Sequence, residues 1–392
     1  MAEALLQQAA TCLDGVTVTH TGRAPPRLPT VLTLPHAAPT YSGRTAALAI
    51  VSELQPTRAV QLLGFRHDGT QADCREDHSV TNVQALLAAH GCTPIEVHCA
   101  EHPTWQAPAD KTQVVVSTDF SHFNSVGAPT MDVAAICRQD TRKSVQLLNQ
   151  SQGWDAQSSY HQPCGRRALA LVQPWTSQWH VLYYENSNPQ VSKGVGYAVL
   201  RGFRLSHTDP LRQWKAQLDS RVLAWAHLKH VWTALGRGDK TLPPLCWSPL
   251  QTLQGSCFLT VYDADHRVLS CFGGWEEKGA TLWEALAAAY ATVRTHAWHT
   301  TQPETARAGL AQLSISLIAP QTTWVETEQC APDRGCRVEG RHTYLASVWE
   351  QYSDPAAFTA GLREKAGGST APLKVYDEVV WQALRDPTCS QI

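Results

Sequence analysis

The stretch Gln113-Val114-Val115-Val116-Ser117-Thr118-Asp119-Phe120-Ser121-His122 begins as a β-branched apolar run and ends in a carboxylate and an imidazole. A short apolar run stopped by polar residues reads as a buried strand. Three other places in the first 170 residues set a metal-capable side chain at the end or start of an ordered element. Residues 30–33 lead into Leu34-Pro35-His36, and 59–63 lead into Gly64-Phe65-Arg66-His67-Asp68. Pro163-Cys164-Gly165-Arg166 opens a helical pattern. In an open α/β sheet, ligands bind beyond the carboxyl ends of the strands, so side chains far apart in sequence can converge there.

Working outward from these sites, strand-like runs at Thr30–Leu34, 59–63, Gln113–Ser117, 180–184 and 196–202 alternate with helical patterns at 44–54, 80–90, Val133–Asn149 and 166–173. The alternation predicts an α/β layer structure with a parallel or mixed sheet flanked by helices. After Asp209 the pattern changes. A helical stretch at 211–235 precedes a hairpin (257–262 and 268–272), a helix at 281–297, a strand at 310–318, a loop at 329–340 and a final helical region at 355–385. Segregated strands and helices predict a second, α+β unit. One core rarely grows past about 250–300 residues, so a chain of 392 is expected to hold two domains, 1–207 and 208–392, divided near 205–209.

Hydrophobic residues at 43% and charged residues at 17% fit a globular protein with ample core. A net charge of −2 gives no reason to expect nucleic acid or an anionic membrane as partner. No apolar run approaches the roughly 20 residues that cross a bilayer. Met1-Ala2-Glu3-Ala4 lacks the basic and hydrophobic blocks of a secretory signal, so the expected compartment is the cytoplasm. The twelve cysteines contain no C-x-x-C pair, which argues against a disulfide scaffold or zinc knuckle. Most should be small buried hydrophobes.

Taken singly, His36 or His67 also reads as a hydrogen-bonded structural histidine; their equivalent positions favour a shared site. Asp119 precedes His122 by three residues and could orient its ring. His78, in Glu76-Asp77-His78-Ser79, falls at a helix start where Asp77 or Ser79 would cap. Cys164 stands before a helix whose first residues include Arg166 and Arg167. A helix terminus and nearby cations both favour thiolate. Two imidazoles and a thiolate suit Fe(II), Cu or Zn over Mg or Ca, and three ligands with open positions are the catalytic kind of site.

The same residues carry a family resemblance. Leu34-Pro35-His36-Ala37 with Thr40-Tyr41-Ser42-Gly43, Gly64-x-x-His67, Glu76-Asp77-His78-Ser79-Val80, Ser117-Thr118-Asp119-Phe120-x-His122 and Cys164-Gly165-Arg166 resemble, in order, the motifs of Memo proteins. Those proteins are akin to class III extradiol (LigB-type) non-heme iron dioxygenases. The resemblance implies His36, His67 and Cys164 as metal ligands, His122 as an active-site histidine, and His78 and Asp119 as pocket residues. The second half resembles the AMMECR1 family through Val268-Leu269-Ser270-Cys271-Phe272-Gly273, Tyr344-Leu345-x-x-Val348-Trp349-Glu350-Gln351, Asp354-Pro355-x-x-Phe358 and Leu362-x-x-Lys365-Ala366-Gly367. It departs at Ser270, where that family has glycine after an arginine. The pair of resemblances implies a radical SAM protein of the same pathway as a partner.

Three functions follow as expectations. The first is an Fe(II)-dependent, dioxygenase-like oxidoreductase for a small organic, amino-acid or peptide-derived substrate, with His122, Asp119 and His78 acting at the metal. The second is metal-free chemistry with Cys164 as nucleophile. The third is a non-catalytic peptide-binding adaptor. In the second unit, Cys271 reads as a buried structural thiol, and Cys330 and Cys336 share a loop where they could bind metal or oxidise.

Overall fold

In the computed structural model, the described residues are 1–22, 30–67, 73–93, 95–100, 105–106, 108, 112–124, 133–150, 163–176, 178–186, 193–203, 209–245, 248–274, 280–296, 309–338 and 342–388. Asp68, Ala297, Trp298 and the expected boundary at 205–208 lie outside them. The fold is α/β, with mixed and antiparallel sheets flanked by helices.

The first sheet is built on four parallel strands in the order β4 (Ile95–Cys99), β3 (Val60–Gly64), β5 (Gln113–Ser117), β2 (Thr30–Leu34). Every residue of β5 is buried, as expected where helices cover both faces of a parallel sheet. The long strand β8 (Lys193–Phe203) runs antiparallel to β2. Gly196 of β8 pairs with both Ser121 and Asn186, and Arg201 with both Leu32 and His180. Strand β7 (Gln178–Asn186) therefore fills one edge of β8, while β2 and β6 (Ser121–Asn124) lie end to end along the other. This arrangement carries His122 to the place where the chain leaves β2 toward His36.

The second sheet is antiparallel, in the order β1 (Val16–His20), β16 (Glu378–Ala383), β11 (Gln312–Ile318), β9 (Ser256–Tyr262), β10 (Val268–Gly274). Strand β1 comes from the amino-terminal end of the chain, so residues 16–20 complete the sheet of the other half. A smaller sheet orders β12 (Val325–Thr327), β15 (Leu373–Tyr376), β13 (Gly335–Val338) and β14 (Thr343–Tyr344). Helix Pro355–Lys365 packs Phe358 and Leu362 against it.

Two helices join the halves. In α2 (Pro39–Glu53), every residue from Thr45 to Ile50 is fully buried or nearly so. A helix buried all round must have partners on every side; the alanines at 46, 47 and 49 let them approach closely. Helix α7 (Arg221–Arg237) starts on Ser220, whose hydroxyl accepts from Leu223 N, and stops at left-handed Gly238. Its Leu223, Trp225, Leu228 and Val231 belong to one hydrophobic core with Leu32 and Val115 of the first sheet and Leu259, Ile315 and Trp381 of the second.

Several expectations change. The helix expected over 211–235 is two helices, Pro210–Leu218 and Arg221–Arg237. The final helical region ends at Lys365, after which left-handed Gly367 and Gly368 turn the chain into β15 and β16. The loop at 329–340 contains β13. Cys74 bonds Cys99, Cys330 bonds Cys336, and Cys12 is also disulfide-bonded, so half-cystines are more numerous than expected. Cys271 is exposed rather than buried: β10 is an edge strand, and the alternation of side chains turns Ser270 inward and Cys271 out.

Candidate metal centre

The parallel register aligns the ends of three strands. Leu34 pairs with Ser117, and Leu63 with Val116. Beyond those ends the chain places His36, Asp119 and His67 side by side. Helix α3 (His78–Ala89) and the helix Arg166–Val172 bring His78 and Cys164 to the same end of the sheet.

His36 is at the centre. Two groups of potential ligand atoms each lie within 4.8 Å of one another: His36, His67 and His78, and His36, Asp119 and Cys164. The trio anticipated from sequence is divided between them, with His67 in the first, Cys164 in the second and His36 in both. His36 Nε2 is 3.3 Å from His67 Nε2 and 3.6 Å from Cys164 Sγ. Asp119 Oδ2 is 3.7 Å from the same nitrogen and 4.0 Å from His122 Nε2. His78 stacks on His67, with ring centroids 3.9 Å apart, while its own side chain is more than half exposed.

Hydrogen bonds fix which nitrogens are free. The Ser117 hydroxyl donates its one hydrogen to the Ser79 carbonyl. Toward His36 Nδ1, 3.0 Å away, it can therefore only accept. His36 thus carries its hydrogen on Nδ1 and points a bare Nε2 into the site. His67 Nδ1 lies 2.8 Å from Asp77 Oδ1, and the carboxylate can only accept there. His67 likewise presents a bare Nε2. Two nitrogen lone pairs facing each other at 3.3 Å repel unless a cation lies between them. Tetrahedral coordination at Zn-like bond lengths sets N···N at roughly 3.3 Å and N···S at roughly 3.6 Å. The His36–His67 and His36–Cys164 distances match that geometry, whereas His67 and Cys164 share no group, so closing all three on one ion requires His67 or Cys164 to move.

Neighbouring residues tie the site down through further hydrogen bonds. Asp77 caps α3, accepting from Ser79 N at 2.8 Å, and also accepts from His67 N at 3.1 Å. Although partial burial opposes it, these bonds hold the Asp77 carboxyl far below the usual carboxylate range. Asn82 donates to the His36 carbonyl at 2.8 Å, and His36 N donates to Asp119 Oδ1 at 3.0 Å. Ser117, Asp77 and Asn82 were not read from sequence as parts of the site. The available signal was the three-residue spacing of Ser79 and Asn82, which shares a helical face. Gly165 lets its helix approach β5: a Cβ there would lie 2.6 Å from the Ser117 carbonyl oxygen.

The electrostatics correct one expectation. Cys164 was expected to ionise readily beside a helix terminus and two arginines. Burial, followed by the Asp119 charge, instead pushes its thiol far above the usual value. Burial and the imidazoles of His67, His78 and His122 hold His36 well below the ordinary histidine range. Burial also lowers His122 and raises Asp119. Until a cation supplies positive charge, these shifts favour neutral imidazoles at His36 and His122 and a protonated thiol at Cys164.

No protein-family model matches the chain, and no curated protein does. A crystal structure of an uncharacterised protein from Pyrococcus horikoshii is similar at 16% identity and a TM-score of 0.30, over 40% of this chain and 89% of that one. A likeness that weak carries no argument here. The described residues thus contain a cluster able to hold a metal ion, and no described helix is long and apolar enough to cross a membrane.

Proposed function

We propose that the chain is a Memo-like, metal-dependent oxidoreductase fused to an AMMECR1-like unit, with Fe(II) held by His36, His67 and Cys164 and with Cu or Zn as alternative ions. The observation that carries this reading is the pair of bare Nε2 atoms of His36 and His67, each with its Nδ1 hydrogen committed to an oxygen acceptor, Ser117 and Asp77 respectively. When bound, the ion would supply Lewis acidity and coordination positions for O2 and an organic substrate. Asp77 and Ser117 orient the two imidazoles. His122, which desolvation holds below the ordinary histidine range, accepts a proton from substrate, and Asp119 stabilises the resulting imidazolium from 4.0 Å away. His78 covers the outer face of His67. The substrate is taken to be a small organic molecule, an amino acid or a peptide derivative, and the pathway to include a radical SAM protein. Cytoplasmic residence is part of the same proposal.

The raised Cys164 thiol opposes the reading of a metal-free nucleophile, which needs thiolate at neutral pH. The test is O2 uptake by Fe(II)-loaded protein across a panel of catechols, amino acids and short peptides. Metal-dependent uptake should be lost in His36→Ala. In His122→Gln it should fall about 10²-fold with iron retained. Iron-loaded protein that consumes no O2 with any of them, yet binds a peptide equally well before and after His67→Ala, would favour the adaptor instead.

A further inference from the structure

Apart from the two groups around His36, a third cluster of ligand atoms lies within 4.8 Å among the described residues: Asp73, Cys74 and Cys99. Cys74 opens the short 3-10 helix Cys74–Glu76, and Cys99 ends β4, the edge strand of the first sheet. Cys74 is fully buried, whereas Cys99 borders a groove of about 750 Å³ together with Asp73, Arg75, Glu96 and His98. None of His36, His67, Asp119 and Cys164 is in the groove's described lining. In the oxidised chain the two sulfurs are bonded to each other and offer no thiolate to an ion.

Reduction changes that. Freed sulfurs separate to roughly the 3.8 Å that two thiolates span across a tetrahedral Zn(II) ion. A thiolate and a carboxylate oxygen on such an ion stand roughly 3.6 Å apart, and Cys99 Sγ already lies 3.5 Å from Asp73 Oδ1. Cys74 N donates to Cys99 Sγ at 2.9 Å, the kind of amide bond that stabilises a metal-bound thiolate. Asp73 Oδ1 also accepts from Arg75 N at 3.0 Å, and a carboxylate oxygen has lone pairs for both. The Arg75 guanidinium reaches Oδ2 at 3.5 Å, but both side chains are more than half exposed, so this pair competes weakly with an ion.

We propose that Cys74, Cys99 and Asp73 form, once the disulfide is reduced, a second metal site that takes Zn(II) or another thiophilic divalent cation. A dithiol reductant gives up two electrons and two protons, becoming a disulfide itself, and leaves two thiols on the chain. The incoming ion displaces both thiol protons and adds the Asp73 carboxylate. Two sulfurs and one oxygen select Zn(II) over Mg or Ca, and the fourth position faces the groove and is left to water. Where the surroundings are reducing, such a cysteine pair is kept as thiols and serves metal or redox chemistry. The site stands apart from the reading of the His36 centre, since it uses none of that centre's ligands.

The test compares the full-length protein oxidised with the same protein reduced by dithiothreitol and desalted without oxygen. Equilibrium dialysis against Zn(II) should find about one more ion per chain in the reduced form. Cys74→Ser should remove that additional ion, whereas Cys330→Ser and Cys12→Ser should keep it. Asp73→Asn, a change at an exposed side chain, should weaken it by at least roughly tenfold, the least that even outer-shell changes cost. Zn(II) is colourless, so Co(II) supplies the spectroscopic check in a Cys164→Ser background, where the His36 centre has no thiolate. Reduced protein should there show a thiolate-to-cobalt band that oxidised protein lacks. Equal zinc content in the two forms, absence of the cobalt band, or an additional ion that survives Cys74→Ser or is indifferent to Asp73→Asn would each overturn the proposal. Each of those results leaves the His36 centre standing, because the comparison reads only the ion gained on reduction.

Discussion

At the scale of single residues, the centre depends on who holds each imidazole. Asp77 both caps α3 and fixes the His67 tautomer. Asparagine is as good a cap as aspartate but removes the charge behind the ring. Asp77→Asn should therefore keep the thermal midpoint close to that of the parent while lowering metal affinity by about 10- to 100-fold in a chelator competition. Unchanged affinity would show that His67 needs no carboxylate behind it. His36, His67, Asp119, His122 and Cys164 were legible in sequence because each follows or precedes an element boundary. Asp77 and Ser117 were not legible as ring holders, because their contacts span ten and 81 positions and depend on the fold. The misreading of Cys164 had the same origin. Helix polarity is visible in a sequence, but the burial that outweighs it is not.

At the scale of elements, periodicity located β2, β3, β5, β8, α2 and α3 to within a few residues. It failed for short strands whose stability comes from partners. Ile95–Cys99 alternates as a strand should, yet five residues at a sheet edge gave too little signal to stand apart from loop. The end of the chain was read as helix although Gly367, Gly368 and Pro372 mark a break. A sharper test of element placement lies at Gly165, whose φ is −81°, so that only steric contact opposes a side chain. Gly165→Ala should push the Arg166–Val172 helix away from the Ser117 carbonyl, at a cost of about 1–3 kcal/mol. Metal affinity should fall with it, because Cys164 moves too. Full stability measured by urea denaturation would contradict the close packing described here.

At the scale of the whole molecule, the hydrophobic core does not divide at the boundary expected near 205–209. Strand β1 completes the second sheet, and α7 packs into both halves. The chain should unfold in a single calorimetric transition, and two resolved transitions would contradict a continuous core. Trp381 is fully buried, with its indole nitrogen donating to the Leu218 carbonyl at 3.0 Å. Trp381→Ala should destabilise the protein by about 3–5 kcal/mol, detectable equally by probes in either half. Proton linkage also acts on the whole chain. Burial lowers His180 to about 3 and His227 to about 4, and depresses His36, His122 and His230. Between those values and about 6.5 the unfolded chain binds protons that the native state refuses. Their contribution to stability is thus complete above about 6.5 and declines as pH falls. Glu378, raised to about 7, and Asp119 act in the opposite sense but are fewer. The urea midpoint of metal-free protein should be lower at pH 5 than at pH 7.5; a higher midpoint at pH 5 would contradict this assignment.

The most direct measurement is metal content and absorption of protein purified without oxygen. The metal centre requires about one transition-metal ion per chain. It also requires a thiolate-to-metal charge-transfer band that Cys164→Ser removes while His122→Gln leaves it in place. Protein that binds no iron, copper or zinc under those conditions, or a band indifferent to Cys164→Ser, would contradict it.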